Sequence, residues 1–424
     1  MPTLFPGFSL PAPDARTPVE IVFAVVYVGM LIGRLPWLQL DRTGIALLGA
    51  IALLATRSVG LEEARNAIDI PTLALLFALM VVSAQLRLGG FYAHVTRALV
   101  MLRVGPATLL GALVLVVGAL AAVFSNDVVC LTAAPVLLDA CVARRLDPVP
   151  FLLGLACASN VGSAATLLGN PQNMLIGQTL ALSFPGYLAE AGPPALLGLV
   201  ATWALIALLY RGRWSREVAA TPSPEEDPEL NVWQTTKGLA VAAALLVAFL
   251  VAPWPREIVA LAGAGLLLMS RRLHSRQMLG TVDWQLLVLF IGLFIVNDAF
   301  RRTGLPAEAA GAFARSGVDL TRPAWLFTAT VLTSNVVSNV PAVMLLLPLA
   351  VHPLSGAVLA LSSTLAGNLL VVGSIANIIV IDVASRRGVA TPWRTHARIG
   401  LPVTIATLAI AALALWARAA LSAS

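Results

Sequence analysis

Phe124 to Pro135 read FSNDVVCLTAAP, and Val337 to Pro348 read VSNVPAVMLLLP. Aligned, they set Ser125 on Ser338, Asn126 on Asn339 and Pro135 on Pro348. Each places a small polar cluster inside a run that is otherwise almost wholly apolar, and the first adds a carboxylate, Asp127. Two such clusters in one chain predict a duplicated fold, so the surrounding sequence decides what the polar tips face.

The surroundings are those of a membrane. Of 424 residues 59% are hydrophobic and 11% charged, with a mean hydropathy of +0.89, whereas soluble domains carry about 25% charged residues. Apolar runs of the length that crosses a bilayer as a helix, about 17–25 residues, recur along the chain. An all-α polytopic membrane protein is expected, with membrane lipid as its surroundings. The net charge of +6 suits Arg-rich loops under the positive-inside rule, and no nucleic-acid partner is expected. Cys130, Cys141 and Cys157 stand in apolar stretches without CxxC or His-Cys spacing, so neither a disulfide nor a metal site is expected. No catalytic constellation and no cofactor motif stands out; the chain is not read as an enzyme. Residues 1–17 lack the basic start and cleavage pattern of a signal peptide and are expected to form an N-terminal tail before a retained first span.

The duplication extends well beyond the two tips. DIPTLALLFALMVVSAQLRLGG from Asp69 aligns with DWQLLVLFIGLFIVNDAFRRTG from Asp283, and GNPQN (Gly169 to Asn173) with GSIAN (Gly373 to Asn377). Repeat one is expected over 18–210 and repeat two over 238–424, joined by a polar cytoplasmic linker at 211–237. Spans are expected near 19–35, 43–56, 70–86, 150–181 and 190–210, then near 238–252, 256–270, 284–300, 355–385 and 399–419. Segments 106–143 and 322–350 are expected to be re-entrant hairpins of short helices, and 91–103 and 303–316 to be amphipathic. Five crossings per repeat is an odd number, which inverts the second copy; inverted repeats are a signature of secondary transporters. Most of the 27 Lys and Arg, among them Arg87, Arg144, Arg211, Lys237, Arg386 and Arg398, then fall on one side. By the positive-inside rule that side is the cytoplasm: both termini lie outside, hairpin one enters from the cytoplasm and hairpin two from outside.

Non-helical backbone persists in a bilayer only where it is buried in protein or lines a watery cavity. Four such stretches are expected: Ser125 to Asp127, Gly162 to Gly169, Ser338 to Pro341 and Gly367 to Gly373. Gly162, Gly169, Gly367 and Gly373 mark broken helices at 150–181 and 355–385. Ser125, Asn126, Asn160, Ser163, Thr166, Asn173, Ser338, Asn339, Asn368 and Asn377 are the candidate solute ligands. Asp127 is the candidate proton carrier, because a carboxylate at the bilayer centre costs about 2.5–3.5 kcal/mol on insertion scales and burial of a carboxyl favours its neutral form. A helix N-cap, or a carboxylate paired with a structural cation, are the other roles open to it. Asp139, Asp298 and Asp382 fall near span ends and are expected to be solvated. His94, His274, His352 and His396 are assigned to loops or amphipathic segments with no function. Cys130, three residues after Asp127, is a candidate soft ligand for trivalent arsenic.

Over roughly residues 18–420 the sequence resembles the ion transporter superfamily, and within it the branch of ArsB-type arsenite permeases and sodium/proton antiporters, related to citrate and dicarboxylate transporters. The motifs that carry the resemblance are FSNDVVCLTAAP, ASNVGSAATLLGNPQNMLIG from Ala158, SNVVSNVPAVMLLLP from Ser334 and STLAGNLLVVGSIANIIV from Ser363. It implies a scaffold and a transport domain, elevator-like alternating access, a homodimer, and for arsenite permeases a separate soluble ATPase, since this chain has no Walker motif. It carries over Asn126, Asp127, Asn160, Thr166, Asn173, Asn339, Asn368 and Asn377. Dicarboxylate and citrate members have Ser-Asn-Thr at both tips, where this chain has Ser125-Asn126-Asp127; sodium/proton antiporters tend to place an Asp before NVP, where it has Ser338. Proton-coupled arsenite export from the inner (plasma) membrane, with antimonite a second substrate, is the expectation. Sodium/proton antiport and carboxylate or anion transport are its alternatives.

Overall fold

The computed structural model describes residues 16–33, 39–215, 229–270 and 272–423. Residues 1–15 of the expected tail and 216–228 of the expected linker lie outside them. The first half of the chain runs α1 (Arg16–Ile32), α2 (Arg42–Ala55), α3 (Leu61–Ala67), α4 (Ile70–Leu88), α5 (Phe91–Val100), α6 (Pro106–Val123), α7 (Asn126–Ala143), α8 (Pro148–Ser163), α9 (Pro171–Thr179) and α10 (Phe184–Leu209). The second runs α11 (Val232–Val251), α12 (Arg256–Leu268), α13 (Ser275–Gly280), α14 (Trp284–Arg302), α15 (Leu305–Arg315), α16 (Pro323–Val337), α17 (Asn339–Leu346), α18 (Ser355–Ala366), α19 (Ile375–Arg386) and α20 (Trp393–Ala423). No β-strand occurs among the described residues, and seven of the described helices are long and apolar enough to cross a membrane.

The order of elements recurs. Helices α4 and α14 are each 19 residues long, and each hands over to an amphipathic helix through a left-handed glycine, Gly90 at φ 73° and Gly304 at φ 83°. Glycine reaches that region without a Cβ penalty, so the chain turns at once into α5 and α15. Side-chain caps start several helices: Asp41 accepts from Gly44 N at 2.8 Å, Asp147 from Val149 N at 3.1 Å and Asn231 from Gln234 N at 3.1 Å, each taking a donor that the first turn leaves unpaired. The short helices α3 and α13 were not expected; Glu63 closes α3 by accepting from Gly60 N at 2.8 Å.

The tips depart from expectation in length. Helices α6 and α7 are 18 residues each, about 27 Å at 1.5 Å per residue, where short helices were expected; by length alone each could cross. Helix α16 has 15 residues and α17 only 8. Pro135 is carried inside α7, whereas its counterpart Pro348 falls in a 3-10 turn, Leu347–Leu349, that follows α17.

The chain divides into two compact units. The first, residues up to 70 with 284–320, contains α1 to α3, α14 and α15. Phe23 stacks on Tyr27 and Phe300, Tyr27 Oη donates to Asn297 Oδ1 at 2.7 Å, and a Cβ on Gly292 would stand 2.7 Å from the Ala46 carbonyl carbon. Asp298, expected to be solvated, is only 14% exposed and pairs with Arg301 and Arg302 at 2.5 and 2.6 Å, because both arginines lie one turn further along α14. The second unit, residues 71–283 and 321–423, holds every candidate ligand. There Asp139 pairs with the buried Arg387 and Asp382 with Arg386 at 2.8 Å. His396, expected in a loop, lies inside α20 and is 2% exposed, because α20 begins at Trp393, earlier than the apolar run alone indicated.

Candidate functional site

Two helices of the second unit are interrupted at the expected glycines. Helix α8 stops at Ser163 and α9 starts at Pro171; α18 stops at Ala366 and α19 starts at Ile375, with a 3-10 turn between them. A helix that ends strips its last carbonyls of partners, and inside a membrane something other than bulk water must supply donors. Here side chains do. In the first break Asn173 Nδ2 donates to the Ser163 and Thr166 carbonyls at 3.3 and 2.9 Å, and Tyr187 Oη to the Ala164 carbonyl at 2.8 Å. The Thr166 hydroxyl donates to the Ala122 carbonyl, tying the break to the end of α6. In the second break Asn377 Nδ2 donates to the Gly367 and Leu370 carbonyls at 2.8 and 3.1 Å, and His396 Nε2 lies 3.1 Å from the Asn368 carbonyl. Asn173 and Asn377 thus do one job at the two breaks, as do Tyr187 near the start of α10 and His396 near the start of α20.

Asn160, the last asparagine of α8, connects these parts. Its Nδ2 donates to Asn368 Oδ1 at 2.8 Å and Asn377 Oδ1 at 3.2 Å. Its Oδ1 accepts from Ser374 Oγ at 2.8 Å and Asn126 Nδ2 at 3.3 Å. Asn126 N also donates to the Gly169 carbonyl at 3.3 Å. Asn339, from the other tip, lies beside Gly367, where an added Cβ would stand 3.2 Å from its Nδ2. Asn126, Asn160, Asn339, Asn368 and Asn377 are all buried. Close backbone approach makes this possible: a Cβ on Gly162 would fall on the Gly118 backbone of α6, and one on Gly169 would fall on the Ser163 backbone.

The candidate ligands divide by what they have left to offer. Ser163, Thr166 and Asn173 spend donors on neighbouring backbone. Asn126 Oδ1, Asn339 Oδ1 and Asn368 Nδ2 are buried with no partner among the described residues. Asp127, in the first turn of α7, is half-buried and makes no hydrogen bond or ion pair among the described residues. Asp283, exposed just before α14, acts on it electrostatically. Ser125 lines a slot of about 10 Å³ with Phe124, Leu168, Ser83 of α4 and Phe249 of α11, room for about one water. Cys130 is fully buried and donates to Ser159 Oγ of α8 at 3.1 Å; its sulfur is engaged there. Helices α7, α17 and α19 all begin at the cluster without a side-chain cap.

Tyr187 and His396 were missed from sequence. Each acts across space on a carbonyl, 23 and 28 residues away along the chain, and no local spacing signals that.

A family profile described as a citrate transporter, CitMHS, matches residues 27–358. The chain is 28% identical over 470 residues to the silicon efflux transporter LSI3 of Oryza sativa subsp. japonica, covering 92% of this chain and 96% of that protein. It is 31% identical over 333 residues to the inner membrane protein YbiR of Escherichia coli, covering 78% and 83%. In fold it is similar to the YdaH transporter of Alcanivorax borkumensis, with a TM-score of 0.56 at 15% identity, covering 95% of this chain and 98% of that one.

Proposed function

The chain belongs to the citrate transporter family CitMHS, a family of membrane secondary transporters, and from that premise we propose that it exports arsenite, with antimonite as a second substrate, by alternating access in exchange for protons. The observation that carries this reading is the site itself: five buried asparagines, three of them with an unfilled amide atom, one unpaired carboxyl, and no Arg or Lys among the residues that build it. Near neutral pH arsenite is a neutral trihydroxide, which needs amides and hydroxyls to bond its O–H groups and no counter-charge. The relative named as a silicon efflux transporter supports the same chemistry, because silicon dissolved at neutral pH is also a neutral hydroxide.

The proposed cycle uses Asp127 twice. Protonated from outside, it turns inward with the empty site; its proton leaves as arsenite takes the amide cluster, and the loaded site returns outward. Inward movement of one proton down 100 mV releases about 2.3 kcal/mol, enough for a roughly fiftyfold gradient of a neutral solute at about 1.4 kcal/mol per tenfold. Inverted repeats, an inner-membrane location and both termini outside belong to the same proposal.

A second reading, carboxylate transport, draws on the family description and on the uncapped starts of α7, α17 and α19, since helix N-termini present N–H groups to anions. Proton flux in sealed proteoliposomes, with arsenite, sodium or citrate added in turn to wild type and Asp127→Asn, separates the readings. Flux triggered by arsenite and absent from the variant is the expected result. Flux triggered by citrate or sodium instead would replace the substrate, and arsenite-driven flux unchanged in the variant would remove Asp127 from the mechanism.

A further inference from the structure

The amide ends in the cluster are not free to choose their orientation. Asn377 faces two backbone carbonyls, Gly367 at 2.8 Å and Leu370 at 3.1 Å, and a carbonyl only accepts. Its NH₂ must point there, which turns its Oδ1 toward Asn160. Asn160 must then present its NH₂ to Asn377 and, in the same direction, to Asn368. Its other end is therefore an oxygen, which Ser374 Oγ and Asn126 approach. Asn126 meets that oxygen with its NH₂ and is left with a bare carbonyl; Asn368 meets Asn160 with its carbonyl and is left with a bare NH₂. Both leftover atoms are buried and unpartnered among the described residues, in residues that are 6% and 0% exposed.

We infer that this relay, set by the backbone of the second break, gives the site an acceptor at Asn126, the chain neighbour of Asp127, and a donor at Asn368, with Asn339 Oδ1 a further unfilled acceptor, and so selects solutes built of neutral hydroxyl groups. A hydroxyl donates and accepts at once, and so satisfies both kinds. A carboxylate only accepts; it fills Asn368 and leaves the Asn126 carbonyl unmatched. A sodium ion is only an acceptor's ligand, and it leaves the Asn368 NH₂ pointing at a cation. Leaving a buried polar group unmatched is costly, and sites built on hydrogen bonds discriminate strongly against ligands that cannot complete them. The inference deepens the transport reading above by naming the feature that sets its solute class.

The test is binding, not transport. Thermal unfolding of the purified full chain in detergent is followed at fixed pH with arsenite, orthosilicic acid, citrate or sodium chloride against choline chloride, for wild type and Asn368→Asp. Aspartate keeps an oxygen toward Asn160 and exchanges the unpartnered NH₂ for an acceptor, which also carries a charge when ionised. Arsenite and silicic acid are expected to stabilise the wild type, citrate and sodium to leave it unchanged, and Asn368→Asp to weaken the apparent affinity for both hydroxides about tenfold or more. Stabilisation of the wild type by citrate or sodium as strong as that by the hydroxides overturns the inference, as does a variant whose hydroxide affinity stays within twofold. The wild-type series decides alone if the variant does not fold. Hydroxides that bind but move no protons defeat the transport reading and leave the inference; arsenite-driven proton flux from a chain that citrate or sodium stabilises as strongly as the hydroxides do defeats the inference and leaves the transport reading.

Discussion

His396 shows how a residue can matter to a site without touching a solute. Its ring is 2% exposed and its Nε2 serves the carbonyl of Asn368, the residue whose side chain reaches Asn160. Gly400, one turn on, leaves room for this: a Cβ there would run onto the Asn368 carbonyl and stand 3.0 Å from His396 Nε2. Replacing His396 with Leu leaves a buried carbonyl unmatched, a loss of about 1–3 kcal/mol, while Gln keeps an N–H donor on a side chain of comparable reach. In a solute-uptake assay His396→Leu is therefore expected to raise KM severalfold, and His396→Gln to recover most of it. Equal loss in both would show that ring packing, and not the hydrogen bond, is what the position supplies. The asparagines were legible in the sequence because polar residues in apolar runs draw notice wherever they sit; His396 was not, because its apparent place at a span end hid it.

The elements owe their geometry to a few positions without side chains and to one that has one where glycine would be easier. Helices α6 and α8 meet at Gly118 and Gly162, where a Cβ on the latter would fall on backbone that cannot yield. Gly162→Ala is expected to cost about 1–3 kcal/mol through overpacking, seen as a lower unfolding midpoint in detergent; an unchanged midpoint would mean that the helices separate freely. Ser338, at the second tip, has φ 77° and ψ 164°, a region nearly reserved for glycine that costs about 1–3 kcal/mol. Ser338→Gly is accordingly expected to raise the midpoint and Ser338→Val to lower it, measured the same way; a lower midpoint for glycine would show that the serine hydroxyl outweighs the strain. Both breaks could be read from Gly and Asn clusters that no apolar span requires. The lengths of α6 and α7 could not, since an unbroken apolar run does not reveal how far a helix extends before its tip.

For the whole molecule, the recurring order of helices bears on topology. If each repeat crosses the membrane an odd number of times, the linker at 211–237 lies on the opposite side from both termini. A reporter active only outside the cytoplasm is expected to work when fused to the C-terminus and to fail when inserted near residue 220; activity in both places would remove the inversion. The charge pattern points to this arrangement in the sequence; the resemblance implied two domains, but which helices make up each was not readable, because the first unit joins α14 and α15 to α1, α2 and α3 from the far end of the chain. The side-chain donors at the two breaks, Asn173 with Tyr187 and Asn377 with His396, have a consequence for coupling. Backbone carbonyls that are satisfied by protein need no water to stay unwound, so the site can keep its shape when dry. Under the proposed exchange, a site that keeps its shape without a water thread would offer protons no continuous wire, and the carboxyl of Asp127 would have to carry each proton itself.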